Sequence, residues 1–152
     1  MTKPRKRPKR TAGELDERMN AFVLKDPRYG ALFDILLAAG GVAVAAVEEP
    51  DLARLLERGY LRSGRGAGRV RGRPISCHEN AAYLWHDNPS GVVIVTGWAL
   101  SKDGLWRQHS WVKDSGDDRL YETTNSRVAY FGFDLTPDES QRFYEGNVLH
   151  RR

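Results

Sequence analysis

One cysteine in 152 residues rules out an internal disulfide and any Cys-x-x-Cys metal or redox motif. A chain of this length buries enough apolar surface to fold without such staples. A lone thiol points to a reducing, cytoplasmic setting. No apolar run reaches membrane-spanning length. The longest, residues 31–47, is broken by Asp34 and by Gly40-Gly41. The basic N-terminal residues have no apolar stretch directly behind them, so no secretory leader is expected. Gly-Lys-Ser/Thr is missing, and no strand leads into a G-x-G-x-x-G, which excludes a phosphate loop. Zinc would have to gather Cys77, His78, His86 and His109 without a recognisable ligand spacing. We therefore expect no metal and no cofactor.

Charge is abundant but unevenly placed. The chain carries 24 basic and 20 acidic residues, a net charge of +4. Residues 1–10 hold six basic residues and no acid, and residues 62–73 hold five arginines and no acid. With those eleven set aside, 13 basic residues face all 20 acids, a balance of −7. An acidic domain with two basic appendages is the result. Residues 1–12 read as a disordered tail. Residues 13–152 read as one domain with a flexible Arg/Gly loop at 62–75. Both basic segments suit nucleic acid or an acidic partner. The loop has no interleaved aromatic residues, so it lacks a stacking platform for single strands.

Helical spacing of Leu15, Met19, Phe22 and Val23 predicts a helix over 13–24, and Leu32, Phe33, Leu36 and Leu37 predict another over 29–39. A third spans 51–58. Ser76-Cys77-His78-Glu79 fits a capping box and opens a helix over 76–86. Strands follow at 91–100, 105–113, 119–124 and 128–133. Thr136-Pro137-Asp138-Glu139 opens a last helix. Helices first and then a strand meander give an α+β fold, with N-terminal helices packed on an antiparallel sheet and the cysteine at the start of a central helix.

That cysteine carries the chemistry. A helix N-terminus presents N–H groups and partial positive charge, which favour thiolate over thiol. The same groups can hold an oxyanion once Cys77 attacks a carbonyl. A base is needed, and His109 lies mid-strand, 32 residues on. Alternation puts Arg107, His109 and Trp111 on one face and Trp106, Gln108 and Ser110 on the other. A third group must orient the imidazole. Glu122 in the next strand suits this role, with register placing it opposite Trp111 or His109, and Asn125 is a second candidate. Asn80, Gln108 and Trp111 are the remaining supporting or substrate-binding candidates. The competing readings are a buried structural cysteine, a core histidine, and a Glu122 paired with Lys113 or Arg107. His78, at the second helical position, is expected to face solvent.

The order PISCHENAAYLW, then HSWV, then ETT resembles the transglutaminase-like, papain-like superfamily of cysteine enzymes. The resemblance covers about residues 74–135. It implies a cysteine-opened helix packed on an antiparallel sheet. It also implies Cys77 as nucleophile, His109 as base and Glu122 as orienting acid. Ser110 stands where the family often has alanine, and Glu122-Thr123-Thr124 where it has Asp-Pro-Thr. No glutamine occurs within 71–76, where papain proteases carry one. The implied function is cysteine-dependent acyl transfer on a protein or peptide amide: hydrolysis, deamidation or transfer through a thioester. The alternative is a non-catalytic binding module that engages nucleic acid or an acidic partner through residues 1–10 and 62–73.

Overall fold

A computed structural model describes residues 10–149. Residues 1–9 of the basic tail lie outside the described residues. The helix α1 (Ala12–Lys25) starts within the stretch read as tail, because the Thr11 side chain caps the Glu14 N–H at 3.2 Å. Leu15 and Met19, one turn apart, are its buried contacts. In α2 (Arg28–Ala39) the buried set is Tyr29, Leu32, Phe33 and Leu36. That is the i, i+3, i+4, i+7 stripe of a helix facing a core. The short β1 (Ala43–Val44) and α3 (Leu52–Arg58) complete the N-terminal layer.

The remaining elements are β2 (Tyr60–Ser63), β3 (Gly68–Arg69), α4 (Cys77–Asp87), β4 (Val92–Leu100), β5 (Leu105–Asp114), β6 (Leu120–Glu122), β7 (Ala129–Asp134) and α5 (Pro137–Tyr144). A π-helical turn, Glu145–Leu149, follows. At α5 the capping box forms as predicted, with Thr136 and Glu139 bonding each other's backbone and Pro137 in the first turn. At α4 it does not form. Ser76 makes no side-chain cap and turns its hydroxyl back to the Pro74 carbonyl at 3.4 Å.

The fold is α+β, and its sheet runs β2-β7-β4-β5-β6-β3, with β1 added on β5. It is not wholly antiparallel. The pairs β1–β5 and β3–β6 are parallel. Both involve two-residue strands too short to show any periodicity. Residues 62–75, read as a loop, contain the end of β2 and all of β3.

The sheet is curled, and chain length shows why. Its outer strands β2 and β3 are joined by the short step from Ser63 to Gly68. Five residues reach about 18 Å at most. A flat path of six strands would hold its edges about 24 Å apart. Curling brings the edges together, and charged contacts close the seam. Arg62 of β2 donates to the Asp118 carbonyl in the β5–β6 turn, and Arg119 donates to the Gly66 carbonyl at 3.3 Å. Lys113 bridges Asp118 at 2.8 Å and Asp134 at 2.6 Å.

Two cores result. The larger packs α1 to α4 on one sheet face around Trp98, Trp106 and Phe133. The smaller fills the other, concave face with Val95, Ala99, Trp111, Leu120 and Tyr130. Among the described residues, no helix is long and apolar enough to cross a membrane.

Candidate active site

Strand pairing leaves an opening for the first turn of α4. One edge of β5 pairs with β4 along its length. The opposite edge pairs with β1 at Leu105 and Trp106, and with β6 at Val112 and Lys113. Among the described residues, no strand pairs with 107–111 on that edge. Cys77 sits there and accepts a hydrogen bond from the Ser110 backbone N–H. This gap in the pairing of β5 thus finds its partner in the start of a helix.

His109 and Glu122 approach from the concave side. The β5–β6 register pairs Val112 with Tyr121, and one further step sets Trp111 opposite Glu122. His109 is therefore the diagonal neighbour, within reach of a long side chain. Its Nε2 lies 2.7 Å from Glu122 Oε1. The other ring nitrogen is left for Cys77, with which His109 shares a side-chain hydrogen bond. His109 is 2% exposed and Glu122 1%. Cys77 is partly exposed. The three residues form a chain from the surface to the concave core.

Glu122 is fully engaged. Tyr130 donates its hydroxyl to Oε1 at 2.9 Å. Oε2 accepts from the Thr123 N–H at 2.9 Å, the Thr124 N–H at 3.0 Å and the Thr124 hydroxyl at 3.1 Å. Burial alone would raise its pKa. The His109 hydrogen bond and charge, with these donors, overcome that and hold it at about 2. Burial likewise disfavours the His109 cation, but its bonds to Cys77 and Glu122 raise its pKa above the ordinary value. For Cys77, burial opposes ionisation. The hydrogen bond and charge of His109 and the Ser110 N–H outweigh it and lower the pKa. Both directions favour the charged forms of Cys77 and His109 over the neutral ones, with the Glu122 carboxylate behind them.

The supporting candidates divide. Trp111 stacks on His109 with centroids 5.9 Å apart and packs on Tyr130 at 4.7 Å. Gly132 makes room for it, because a Cβ there would lie 2.6 Å from the Trp111 ring. Asn80 is buried and clamps the approach to Cys77. Its amide donates to the Arg73 carbonyl at 2.9 Å and the Thr123 hydroxyl at 3.2 Å, and its oxygen accepts from the Arg73 N–H at 3.0 Å. Gln108 lies on the opposite face from His109 and donates to the Glu48 carbonyl at 3.2 Å. Asn125 is exposed and its carbonyl accepts from Arg127. Glu122, not Asn125, meets the imidazole. Lys113 and Arg107, the alternative partners for Glu122, pair instead with Asp118 and Asp134 and with Asp103.

His78 does not point to open solvent. Its Nδ1 lies 2.6 Å from the Ser110 hydroxyl, which lies 2.8 Å from that of Thr96. This chain ties the turn bearing Cys77 to β5 from the convex face. The backbone just before Cys77 is unusual. Ile75 has φ of 63°, where β-branched residues are rare, and is 98% exposed. Such strain persists only where neighbours over-determine it. Here the Asn80 clamp on one side and the helix on the other do so.

Tyr130 and Thr96 escape the sequence reading, as do the roles of Ser110 and Thr124. The β4–β7 and β4–β5 registers bring in Tyr130, Thr96 and Ser110, and no local motif marks those pairings. Thr124 reaches Glu122 from two residues along the chain. Among the described residues, no three His, Cys, Asp or Glu side chains converge in a metal-holding group. His86 packs on Tyr144 at a tilt, 4.1 Å between centroids.

No known family model, curated protein or solved structure matches the chain.

Proposed function

We propose that the protein is a cysteine-dependent acyl-transfer enzyme with a transglutaminase-like, papain-like core, acting on amides. The observation that carries this reading is the continuous Cys77–His109–Glu122 chain, closed by the 2.7 Å contact between His109 and Glu122. A buried structural cysteine has no use for an imidazole backed by a carboxylate that accepts five hydrogen bonds.

In the proposed cycle the Cys77 thiolate attacks the amide carbonyl carbon. The carbonyl electrons move to oxygen, and the N-terminal end of α4 would hold that oxyanion. The His109 imidazolium gives its proton to the leaving amine as the C–N bond breaks, leaving a thioester. Neutral His109 then takes a proton from water or an amine, which attacks the thioester. The thiolate departs, and an acid or a new amide forms. Glu122 holds the imidazole tautomer throughout and stabilises its cation. A thiol kept for this role fits a cytoplasmic location.

The test is acylation by an activated ester. Intact mass spectrometry is expected to find one hydroxylamine-labile acyl group on Cys77, and none in His109→Ala under the same conditions. No adduct on Cys77, or equal adduct formation without His109, would overturn the reading. The rival, a binding module, draws support from the exposed Arg65, Arg69, Arg71 and Arg73. It predicts strongly salt-dependent association with nucleic acid or an acidic protein, lost on deleting residues 1–10.

A further inference from the structure

Beside the triad, on the convex face, lies a cleft of about 380 Å3 whose lining includes Glu49, His78, Thr96, Gln108 and Arg142. His78 joins it directly to the turn bearing Cys77. Along β5, Gln108 stands two residues from Ser110, whose N–H touches Cys77. That is roughly 7 Å, the reach of one extended side chain beside a scissile bond.

Glu49 is the anomalous member. It is 8% exposed, yet among the described residues its partners are the Trp98 indole N–H at 3.0 Å, the Asp51 N–H at 3.0 Å and Gln108. None of them is a cation. The other two acids in the lining are provided for, since Arg54 bridges Asp51 and Glu139 and Arg58 adds to Glu139. Arg142 lies at the exposed rim. A buried carboxylate without a counter-charge is costly, and burial raises the Glu49 pKa accordingly. No Glu49 bond serves the Cys77–His109–Glu122 chain.

We infer that this cleft binds a cationic group of the acyl donor, an ammonium or guanidinium, with Glu49 as its counter-charge. The inference rests on Cys77 being the nucleophile and specifies what that nucleophile attacks: an amide whose neighbouring side chain is basic. The field around Cys77 would favour the opposite choice, because Arg71 and Arg73 just before it are exposed. A cationic preference therefore cannot come from the arginines that flank Cys77.

Two chloroacetamides test this, bearing a 4-aminobutyl or a pentyl group. In each, the Cys77 thiolate forms a bond to the chloroacetyl carbon and chloride leaves. The aminobutyl reagent is expected to alkylate Cys77 about tenfold faster than the pentyl one, the size of a charge-assisted contact. In Glu49→Gln the two rates are expected to converge, while plain iodoacetamide reacts alike with both proteins. Equal rates in the wild type, or a preference that survives Glu49→Gln, would overturn the inference. A second arm does not need the thiol. N-acetyl-lysine methylamide is expected to shift the NMR resonance of the Trp98 indole N–H, and the norleucine analogue is not. No shift with the lysine compound overturns the cleft assignment. If Cys77 is slow even towards iodoacetamide, the nucleophile reading fails, and the NMR arm still decides the cleft.

Discussion

Replacing Glu122 by glutamine preserves shape and removes charge. Glutamine resembles the protonated acid, so the cost is set by how strongly the fold prefers the carboxylate. The drop in pKa from 4.5 to about 2 corresponds to about 3 kcal/mol at neutral pH. The residue is almost wholly buried, so solvent screening takes little from that figure. The geometry gives the same sign. A glutamine amide turned toward Thr123 and Thr124 meets two N–H donors. Turned the other way, it meets Tyr130 and forces His109 Nε2 to accept, which sends the ring proton toward Cys77 and removes the base. We expect Glu122→Gln to lose about 3 kcal/mol in urea denaturation at pH 7 and about 6–12 °C in Tm. Because the native pKa is depressed, this contribution is full above the unfolded value of 4.5 and is lost as pH falls toward about 2. The difference between the two proteins should therefore shrink to about half by pH 3. Equal stability at pH 7, or a gap that does not narrow in acid, would refute the reasoning.

Other consequences are as specific. Asn80→Ala removes three hydrogen bonds, one buried and two part-buried, and is expected to cost about 1–3 kcal/mol, with faster tryptic cleavage after Arg71 as the local readout. Gly132→Ala would set a methyl group 2.6 Å from the Trp111 ring and 2.7 Å from the Thr96 carbonyl; we expect a loss of about 1–3 kcal/mol in denaturation and a shifted Trp111 indole resonance. Thr136→Ala breaks the α5 capping box for about 1 kcal/mol, and the pH profile of Cys77 alkylation should not move.

Legibility from sequence followed the range of the interactions. Helices with a full stripe, such as Leu32 to Leu36, and strands of six or more residues, such as β4 and β5, carry their own periodicity. The strands β1 and β3 have two residues each and exist only because distant partners hold them, so no local pattern announces them. The curl depends on the length of the β2–β3 connection and on which strands form the edges. Composition does not encode either. The order of Cys77, His109 and Glu122 was readable because Cys77 and His109 sit on the long elements α4 and β5, and Glu122 follows β5 after one short turn. The Ser76 capping box was misleading. The signature fits, but Pro74 and the Asn80–Arg73 clamp hold the chain in another entry path, with Ile75 at positive φ. Glu49 and Tyr130 were invisible, because their roles come from tertiary neighbours alone.

The central claim is that Cys77 and His109 titrate as a pair. The most direct measurement is the pH dependence of Cys77 alkylation by iodoacetamide in the wild type and in His109→Ala. An unperturbed thiol gains reactivity near pH ~8.5. In the wild type, reactivity is expected to appear well below that value, because the Cys77 pKa is lowered and that of His109 raised. His109→Ala is expected to return the profile to that of an ordinary or more weakly ionising thiol, since burial then acts on Cys77 with less opposition. Profiles that coincide in the two proteins would contradict the account.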